Sequence, residues 1–409
     1  MNIRARLAER HESQVRFLAE LVRVPSDNPP GDCGPHAQRA AQLLEELGFK
    51  VERFPVPESA VRAAGMVSAT NLVVRERFGD GPVIALNAHG DVVPPGLGWS
   101  TDPYGAVIRD GTMYGRGVAV SKSDFATYAY ALLALKDIGA PLAGAIELHF
   151  TYDEETGGEI GPNWLLEHGI SRPDFAICAG FAYDITTAHN GCLHLEVEVL
   201  GKSAHAARPD TGNDALEAAT GIMADLYALR KTFAARRSAV PGIECPTLVI
   251  GLISGGINTN VVPDKVVLRI DRRIIPEEDP AEAERALVDA IDGFAARWPG
   301  IQVCTRRILL ALPLAAVPGQ EKLVEVLRRN ARRVIGGEIE VHGVPIYTDA
   351  RHYSTRGIPT VLYGAGPRTL LEANGHRADE KLKLADLRLA TEVLACSLLD
   401  LLTHNGRSR

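Results

Sequence analysis

The spacing of apolar residues predicts short buried strands that alternate with helices in the first part of the chain and again near its end. Runs of apolar residues without strict alternation are typical of strands covered on both faces. Such runs lie at residues 83–88, 145–152, 174–179 and 359–364. Helices are predicted at 36–48, closed by Gly48, and at 124–138. Strands that alternate with helices favour a largely parallel α/β sheet.

The pattern changes after Gly191, where apolar and polar residues begin to alternate. Alternation at 193–199 and 266–272 predicts strands with one solvent-facing side, as in antiparallel sheets. The elements follow the order strand, helix, strand, strand, helix, strand, which resembles a split β-α-β sandwich. We therefore predict an inserted α+β domain at residues 191–306, and one discontinuous α/β domain formed by residues 1–190 and 307–409.

Composition narrows the class of protein. The 409 residues are 46% hydrophobic and 23% charged, which is ordinary for a globular protein. The net charge of -7 argues against a nucleic-acid or anionic-membrane partner. No apolar stretch is long enough to span a membrane, and the charged, amphipathic N-terminus lacks the apolar core of a secretory signal. The six cysteines contain no CxxC pair, so we expect reduced thiols in a cytoplasmic protein.

Candidate catalytic side chains follow two of the predicted buried strands. His89 and Asp91 end the run at 83–88, and Glu154 and Glu155 come directly after the run at 145–152. Ligands of open α/β sheets bind beyond the carboxyl ends of the strands, so these four residues are expected to share one site. A histidine can bind a metal while a nearby carboxylate orients its ring, and a free carboxylate beside the metal can act as general base.

Four further residues that could take part in catalysis or binding lie in predicted loops. His205 in GKSAHAARP and Asn260 in SGGINTNVVP can stabilise a developing oxyanion. Arg351, in TDAR, can hold a substrate carboxylate through a bidentate pair. His376, in ANGHRADE, is a second candidate imidazole ligand. Taken singly, His205 would be interpreted as a surface histidine and Arg351 as a member of a surface ion pair.

Together these motifs, in this order, resemble the metallo-hydrolase superfamily of acetylornithine deacetylase, succinyl-diaminopimelate desuccinylase, aminoacylase and carboxypeptidase G. The resemblance runs from LAELVRVPSDNPPG to the helix after His376. It implies a zinc-exopeptidase-like, mostly parallel α/β sheet flanked by helices, with an inserted ferredoxin-like lid and dimerisation domain. It also implies hydrolysis of an amide or related C–N bond in a small-molecule substrate, by a homodimer that pairs through the inserted domain.

The resemblance assigns roles at the catalytic centre. His89 matches a ligand of the first metal, and Asp91 matches the carboxylate that orients it. Glu154 matches the general base. Glu155 and His376 match ligands of the second metal.

The resemblance also assigns residues that contact substrate. His205 matches the lid histidine that steadies the tetrahedral intermediate in the partner subunit. Asn260 and Arg351 match substrate-contacting positions. Arg273, in DRR, matches a structural or substrate-side arginine.

The chain departs from the family pattern at two metal ligands. GRGVAVSKS places Val120 where the family has the carboxylate that bridges the two metals, and a valine side chain has no lone pair. The acid that usually follows the strand at 174–179 is also missing, because the chain reads CAGFAYD, with Asp184 nearby. Asp124, four positions after Val120, could replace a lost ligand or could merely cap the helix.

The remaining donors, His89, Glu155 and His376, suffice for one divalent ion, so one ion per chain is favoured over two. Zinc, manganese, cobalt and iron(II) all suit such a donor set. We predict a deacylase or dipeptidase-like amide hydrolase. Hydrolysis of an unusual C–N bond, such as that of an aromatic amine, and a catalytically inactive ligand-binding relative both stay open as alternatives.

Overall fold

The computed structural model describes residues 2–403 and divides into two compact units. The first unit contains the chain up to Thr187, Ala316–His342, and the chain from Thr348 onward, and the second contains Ala188–Ala315 and Gly343–Tyr347. The predicted inserted segment, 191–306, falls within the second unit, which extends beyond it at both ends.

The chain forms α-helices in both units, and those of the first unit alternate with strands, as the apolar pattern predicts. They are α1 (Ile3–Val22), α2 (Gly34–Glu46), α3 (Glu58–Ala63), α4 (Lys122–Ile138), α5 (Pro162–Glu167), α6 (Ala215–Thr232), α7 (Pro280–Ala295), α8 (Gln320–Ile335), α9 (Ala350–Ser354), α10 (Leu370–Ala373) and α11 (Leu384–Leu402). Gly48, at φ +84°, follows α2 in the left-handed region, where a residue without a Cβ meets no steric penalty.

The strands include one for each apolar run identified in the sequence. They are β1 (Val51–Pro55), β2 (Thr70–Arg77), β3 (Val83–His89), β4 (Val107–Arg109), β5 (Thr112–Tyr114), β6 (Ala145–Thr151), β7 (Phe175–Cys178), β8 (Asp184–His189), β9 (Gly191–Leu200), β10 (Ala204–His205), β11 (Thr247–Gly255), β12 (Val261–Val262), β13 (Lys265–Ile274), β14 (Gln302–Ala311), β15 (Glu340–Val344), β16 (Thr360–Leu362) and β17 (Lys381–Lys383).

The large sheet is mixed, which corrects the expectation of a mostly parallel one. Its strand order is β1-β2-β6-β3-β7-β16-β8-β15. The centre, β6-β3-β7-β16, is parallel, whereas β1, β2 and β8 run antiparallel to their neighbours. Only five residues separate β7 from β8, and a parallel connection needs a crossover of a dozen or more residues. The chain therefore has to return in the opposite direction.

Helix α4 occupies the core of the first unit and leads directly to the candidate site. Every residue from Lys122 to Leu135 is buried, because α4 packs against α1, α11 and the strands β3 and β6. A helix that is apolar on nearly all sides is typical of a core position. The loop that contains Val120 precedes α4, so packing of this helix fixes where that loop lies.

The second unit is a four-stranded antiparallel sheet with order β11-β13-β9-β14, joined to α6 and α7. The predicted order of strands and helices is confirmed, with the short β10–β12 ribbon added. Alternate residues of β9, such as Leu193, Leu195 and Val197, are buried with residues of α6 in a separate core. The role of this unit as a lid or dimerisation domain stays a prediction.

None of the helices in the described part of the chain combines the length and the hydropathy that crossing a bilayer requires.

Candidate metal centre

The candidate centre begins at His89, the last residue of β3, whose side chain is 7% exposed. His89 Nδ1 lies 3.0 Å from the backbone oxygen of Asp91 and 3.4 Å from its Oδ1. Because both oxygens accept, Nδ1 carries a proton, and Nε2 is the ring nitrogen that can bind a metal ion once it has lost its own proton. Nε2 faces Glu154, with Oε2 3.9 Å away.

Asp91 is fully buried and connects β3 to the turn that follows β6. Its carboxylate accepts hydrogen bonds from the backbone N–H of Glu154 at 3.3 Å and of Glu155 at 3.2 Å. Asn28 Nδ2 donates a third, at 3.0 Å. A carboxylate with this many donors is held in one orientation, and it fixes the His89 ring and the two glutamates together.

Glu154 and Glu155 lie in a short 3-10 turn, Glu154–Thr156, rather than at the end of a strand. One ligand atom from each of His89, Glu154 and Glu155 falls within 4.8 Å of the others. Gly158, at φ +67°, closes the turn, and a Cβ there would lie 2.1 Å from Asp349 Oδ1, so the close approach requires glycine.

His376, in a distant loop, contacts Glu155 but, within the described residues, is not part of the group whose ligand atoms all lie within 4.8 Å of one another. Its Nε2 lies 3.3 Å from Glu155 Oε1, and this contact raises the pKa of His376. Within the described residues, Glu155 Oε1 is buried without a hydrogen bond of good geometry. A buried carboxylate oxygen facing an imidazole nitrogen suits a shared cation.

The electrostatics of the cluster favour a cation. Burial alone lowers the pKa of His89, but the carboxylates of Glu154, Asp91 and Glu155 together raise it well above its ordinary value. Burial likewise raises the pKa of Glu154 well above its usual range, with a further contribution from Glu155. This concentration of buried negative charge matches a divalent ion, so the residues present fit the metal that the sequence implies.

Val120 lies in a loop that Glu380 organises, a residue that the sequence analysis missed. Glu380 is 1% exposed and pairs with Arg116 at 2.6 Å. Its two oxygens also accept hydrogen bonds from the backbone N–H groups of Gly117, Ala119 and Val120. The only sequence signal was its position four residues after His376, in HRADE.

The two acids considered as replacement ligands have other partners. Asp124 is buried in the first turn of α4, where its Oδ1 accepts a hydrogen bond from the backbone N–H of Ala365 at 2.7 Å and its carboxylate also accepts one from the backbone of Gly180. Asp184 lies 3.3 Å from His342 Nε2. Within the described residues, neither joins the group of closely spaced ligand atoms around His89.

Arg351 lies next to the 3-10 turn that contains Glu154 and Glu155. Its guanidinium is 2% exposed and donates to the backbone oxygens of Gly157 and Thr348, with Glu159 Oε1 3.6 Å away. These contacts brace the turn. The structure therefore adds a positioning contact to a residue predicted to bind substrate.

The sequence analysis also missed two buried carboxylates close to this turn, those of Asp349 and Asp153. Burial raises the pKa of Asp349 to about 7 and raises that of Asp153 well above its usual range, and the charge of Asp349 raises the pKa of Asp153 further. Asp153 Oδ2 accepts a hydrogen bond from the backbone N–H of Ile160 at 2.7 Å. Residues adjacent to a motif can support it through buried hydrogen bonds that no sequence pattern reveals.

The remaining predicted residues belong to the second unit. His205 and Asn260 are neighbours at the β10–β12 ribbon, where the backbone N–H of Ala206 donates to Asn260 O at 3.0 Å, and both are exposed. Arg273 donates from Nε to Asp271 Oδ1 at 3.0 Å. The catalytic and substrate-binding roles of these three residues stay predictions.

The sequence pattern of Peptidase family M20/M25/M40 matches residues 85–400, and the chain belongs to this family. It is 27% identical over 397 residues to a succinyl-diaminopimelate desuccinylase from Gluconacetobacter diazotrophicus, covering 94% of this chain and 96% of that protein. An acetylornithine deacetylase from Erwinia tasmaniensis is 29% identical over 356 residues, covering 86% and 87%.

The fold also matches solved structures. An M20 family metallo-carboxypeptidase from Sulfolobus solfataricus superposes with a TM-score of 0.76 at 17% identity, covering 95% of this chain and 98% of that one. Family membership confirms the resemblance found in the sequence. It also confirms the predicted class, a metal-dependent hydrolase that acts on C–N bonds.

Replacing Glu380 with alanine is expected to destabilise the first unit by about 3–5 kcal/mol, because Arg116 would remain buried without its partner. The free energy of unfolding, measured by chemical denaturation, checks this. The control is Glu58→Ala, which removes an exposed ion pair with Arg62 and should cost about 1 kcal/mol or less. An equal loss for both variants would contradict the structural role of Glu380.

Asp124→Asn is expected to change how stability depends on pH. Burial raises the pKa of Asp124 to about 7 in the folded protein, against about 3.9 in the unfolded chain. The folded state therefore holds this proton more tightly, and wild-type stability falls as pH rises from about 4 to 7. The variant lacks this loss and should gain up to about 4 kcal/mol relative to wild type across that range.

Denaturation of the metal-free protein at several pH values measures the Asp124 effect, with the exposed Asp110→Asn as control. Parallel pH profiles for Asp124→Asn and wild type would contradict the expectation.

Proposed function

We propose that this M20/M25/M40 family member hydrolyses an amide-type C–N bond in a small substrate that carries a carboxylate, such as an N-acyl amino acid or a dipeptide. The two curated relatives are named for removing a succinyl group from succinyl-diaminopimelate and an acetyl group from acetylornithine. Both names describe acylated amino acids, which are carboxylate-bearing amides. The similarity along most of each chain supports extending this substrate class to the present protein.

The observation that carries the proposal is the convergence of His89, Glu154 and Glu155, with His376 in contact with Glu155. We propose that His89 Nε2, the Glu155 carboxylate and His376 hold the ion. A divalent ion in such a site supplies Lewis acidity that polarises a carbonyl and activates water. Zinc, manganese, cobalt and iron(II) all suit these ligands.

Each catalytic residue then has a defined task. Glu154 accepts a proton from the attacking water and returns it to the leaving nitrogen, because its carboxylate lies in the cluster without being needed as a ligand. Asp91 keeps the His89 ring in the tautomer that leaves Nε2 free for the ion. Arg351 positions the glutamate turn through Gly157.

One ion per chain is proposed in preference to two. The position of the family's bridging carboxylate is occupied by Val120, whose backbone N–H is held 3.2 Å from Glu380 Oε1. Asp184, the first acid after β7, lies beside His342, and Asp124 binds backbone amides. Val120, Asp184 and Asp124 therefore do not supply the ligands that a second ion would need.

We further propose a homodimer that pairs through the second unit. Strand β11 is an edge strand of its sheet, and its side chains Val249, Leu252 and Ile253 are 50%, 60% and 52% exposed. An exposed apolar edge strand is a ready template for pairing with another chain. In this arrangement His205 would stabilise the tetrahedral intermediate in the partner subunit, Asn260 would contact the substrate, and Arg351 would hold its carboxylate.

Glu154→Gln is the variant that tests the proposed reaction. Loss of a general base is expected to lower kcat by about 10²–10⁴ while leaving metal content unchanged. Wild type and variant would be assayed against N-acyl amino acids, dipeptides and aminobenzoates in the presence of each candidate ion.

The control for this assay is Glu167→Gln, a change at an exposed glutamate of α5, which should leave turnover unaltered. Turnover that persists in Glu154→Gln would overturn the assignment of the base. Absence of turnover in wild type loaded with each ion would favour an inactive, ligand-binding relative.

A further inference from the structure

A second cluster of metal-ligating side chains lies on the sheet of the second unit. Strands β9 and β13 pair antiparallel, with His194 opposite Asp271 and Cys192 opposite Arg273. Residues two apart on a strand share a face, so Cys192 and His194 project to the same side as Asp271. Cys192 is fully buried, whereas the side chains of His194 and Asp271 are 34% and 27% exposed.

Three potential ligand atoms meet at this point. Cys192 Sγ lies 3.2 Å from His194 Nε2 and 3.5 Å from Asp271 Oδ2, and these last two atoms are 2.9 Å apart. A triangle with these edges has a circumscribed radius of about 1.9 Å, whereas zinc bonds to nitrogen, oxygen and sulfur measure about 2.0–2.3 Å. An ion just above the triangle is therefore within bonding distance of all three atoms.

The geometry does not suit a nucleophilic triad. In such a triad the histidine uses one ring nitrogen for the nucleophile and the other for the carboxylate that orients it. Here Cys192 Sγ and Asp271 Oδ2 both face Nε2 of His194. Convergence of sulfur and oxygen on a single nitrogen is the arrangement that a metal ion requires.

Arg273 organises the carboxylate ligand. Its Nε donates to Asp271 Oδ1 at 3.0 Å, which leaves Oδ2 directed at His194. Orienting contacts of this kind commonly support metal ligands. Once Cys192 has lost its proton, the thiolate and the carboxylate together carry two negative charges, which exceed the single positive charge of Arg273 and favour a divalent cation.

We propose that Cys192, His194 and Asp271 bind a zinc-class divalent ion in the second unit. Thiolate and imidazole are the ligands that zinc prefers, and three protein ligands leave a fourth position for water or another donor. Binding breaks the S–H bond of Cys192, and its proton passes to solvent as the sulfur–metal bond forms. The proton that His194 Nε2 donates to Asp271 Oδ2 is also released from Nε2, and the neutral ring then carries its proton on Nδ1. None of the three proposed ligands has a role in the proposed hydrolysis, so metal binding at this site can be tested separately from that reaction.

Titration of the metal-free, full-length protein with Co²⁺ tests this site. A thiolate ligand gives a sulfur-to-cobalt charge-transfer absorption in the near ultraviolet, which His89, Glu155 and His376 cannot produce. We expect this band in wild type and in the control Cys304→Ser, which changes an exposed thiol in the same unit. Cys192→Ser should abolish the band.

His194→Gln provides the second variant, because its partly exposed side chain can be replaced with little risk to folding. Loss of this ligand should weaken Co²⁺ binding at the sulfur site by about 10-fold or more. Circular dichroism establishes that each variant is folded. Absence of the sulfur band in wild type, or a band that survives in Cys192→Ser, would overturn the proposal and leave a hydrogen-bonded cluster only.

Discussion

The candidate site depends on one buried carboxylate, that of Asp91. It accepts hydrogen bonds from Asn28 and from the backbone N–H groups of Glu154 and Glu155, and it lies beside His89 Nδ1. Four contacts converge on one side chain, so the end of β3 and the turn after β6 cannot move independently. Because a carboxylate beside a histidine also sets which ring nitrogen carries the proton, the same residue positions the potential ligands and prepares one of them chemically.

The sequence predicted the parts of this arrangement that depend on local pattern. The apolar runs at 83–88 and 145–152 became β3 and β6, and parallel pairing of these neighbours brought their carboxyl ends together. Sequence could not predict the 3-10 turn at Glu154–Thr156, because a turn of three residues has no periodicity to detect. It also could not reveal that Glu380 binds the Val120 loop, since buried pairs far apart in the chain leave no local signal.

The mixed character of the large sheet has a similar cause. A buried strand appears in the sequence as an apolar run whether it is parallel or antiparallel to its neighbours. The direction of β8 therefore follows from the length of the connection that precedes it, and not from the composition of the strand. The second unit was easier to predict because alternation at 193–199 and 266–272 reports both the strand and its solvent-facing side. That alternation also placed Cys192 and His194 on one face, although their convergence with Asp271 required the pairing of β9 with β13.

The content of bound metal tests the central claim most directly, and it should be determined by elemental analysis in a Cys192→Ser background so that sulfur ligation does not contribute. The account predicts one divalent ion per chain, falling close to zero when His376→Ala is added. Two ions per chain, or an ion content that His376→Ala leaves unchanged, would contradict a single ion held by His89, Glu155 and His376.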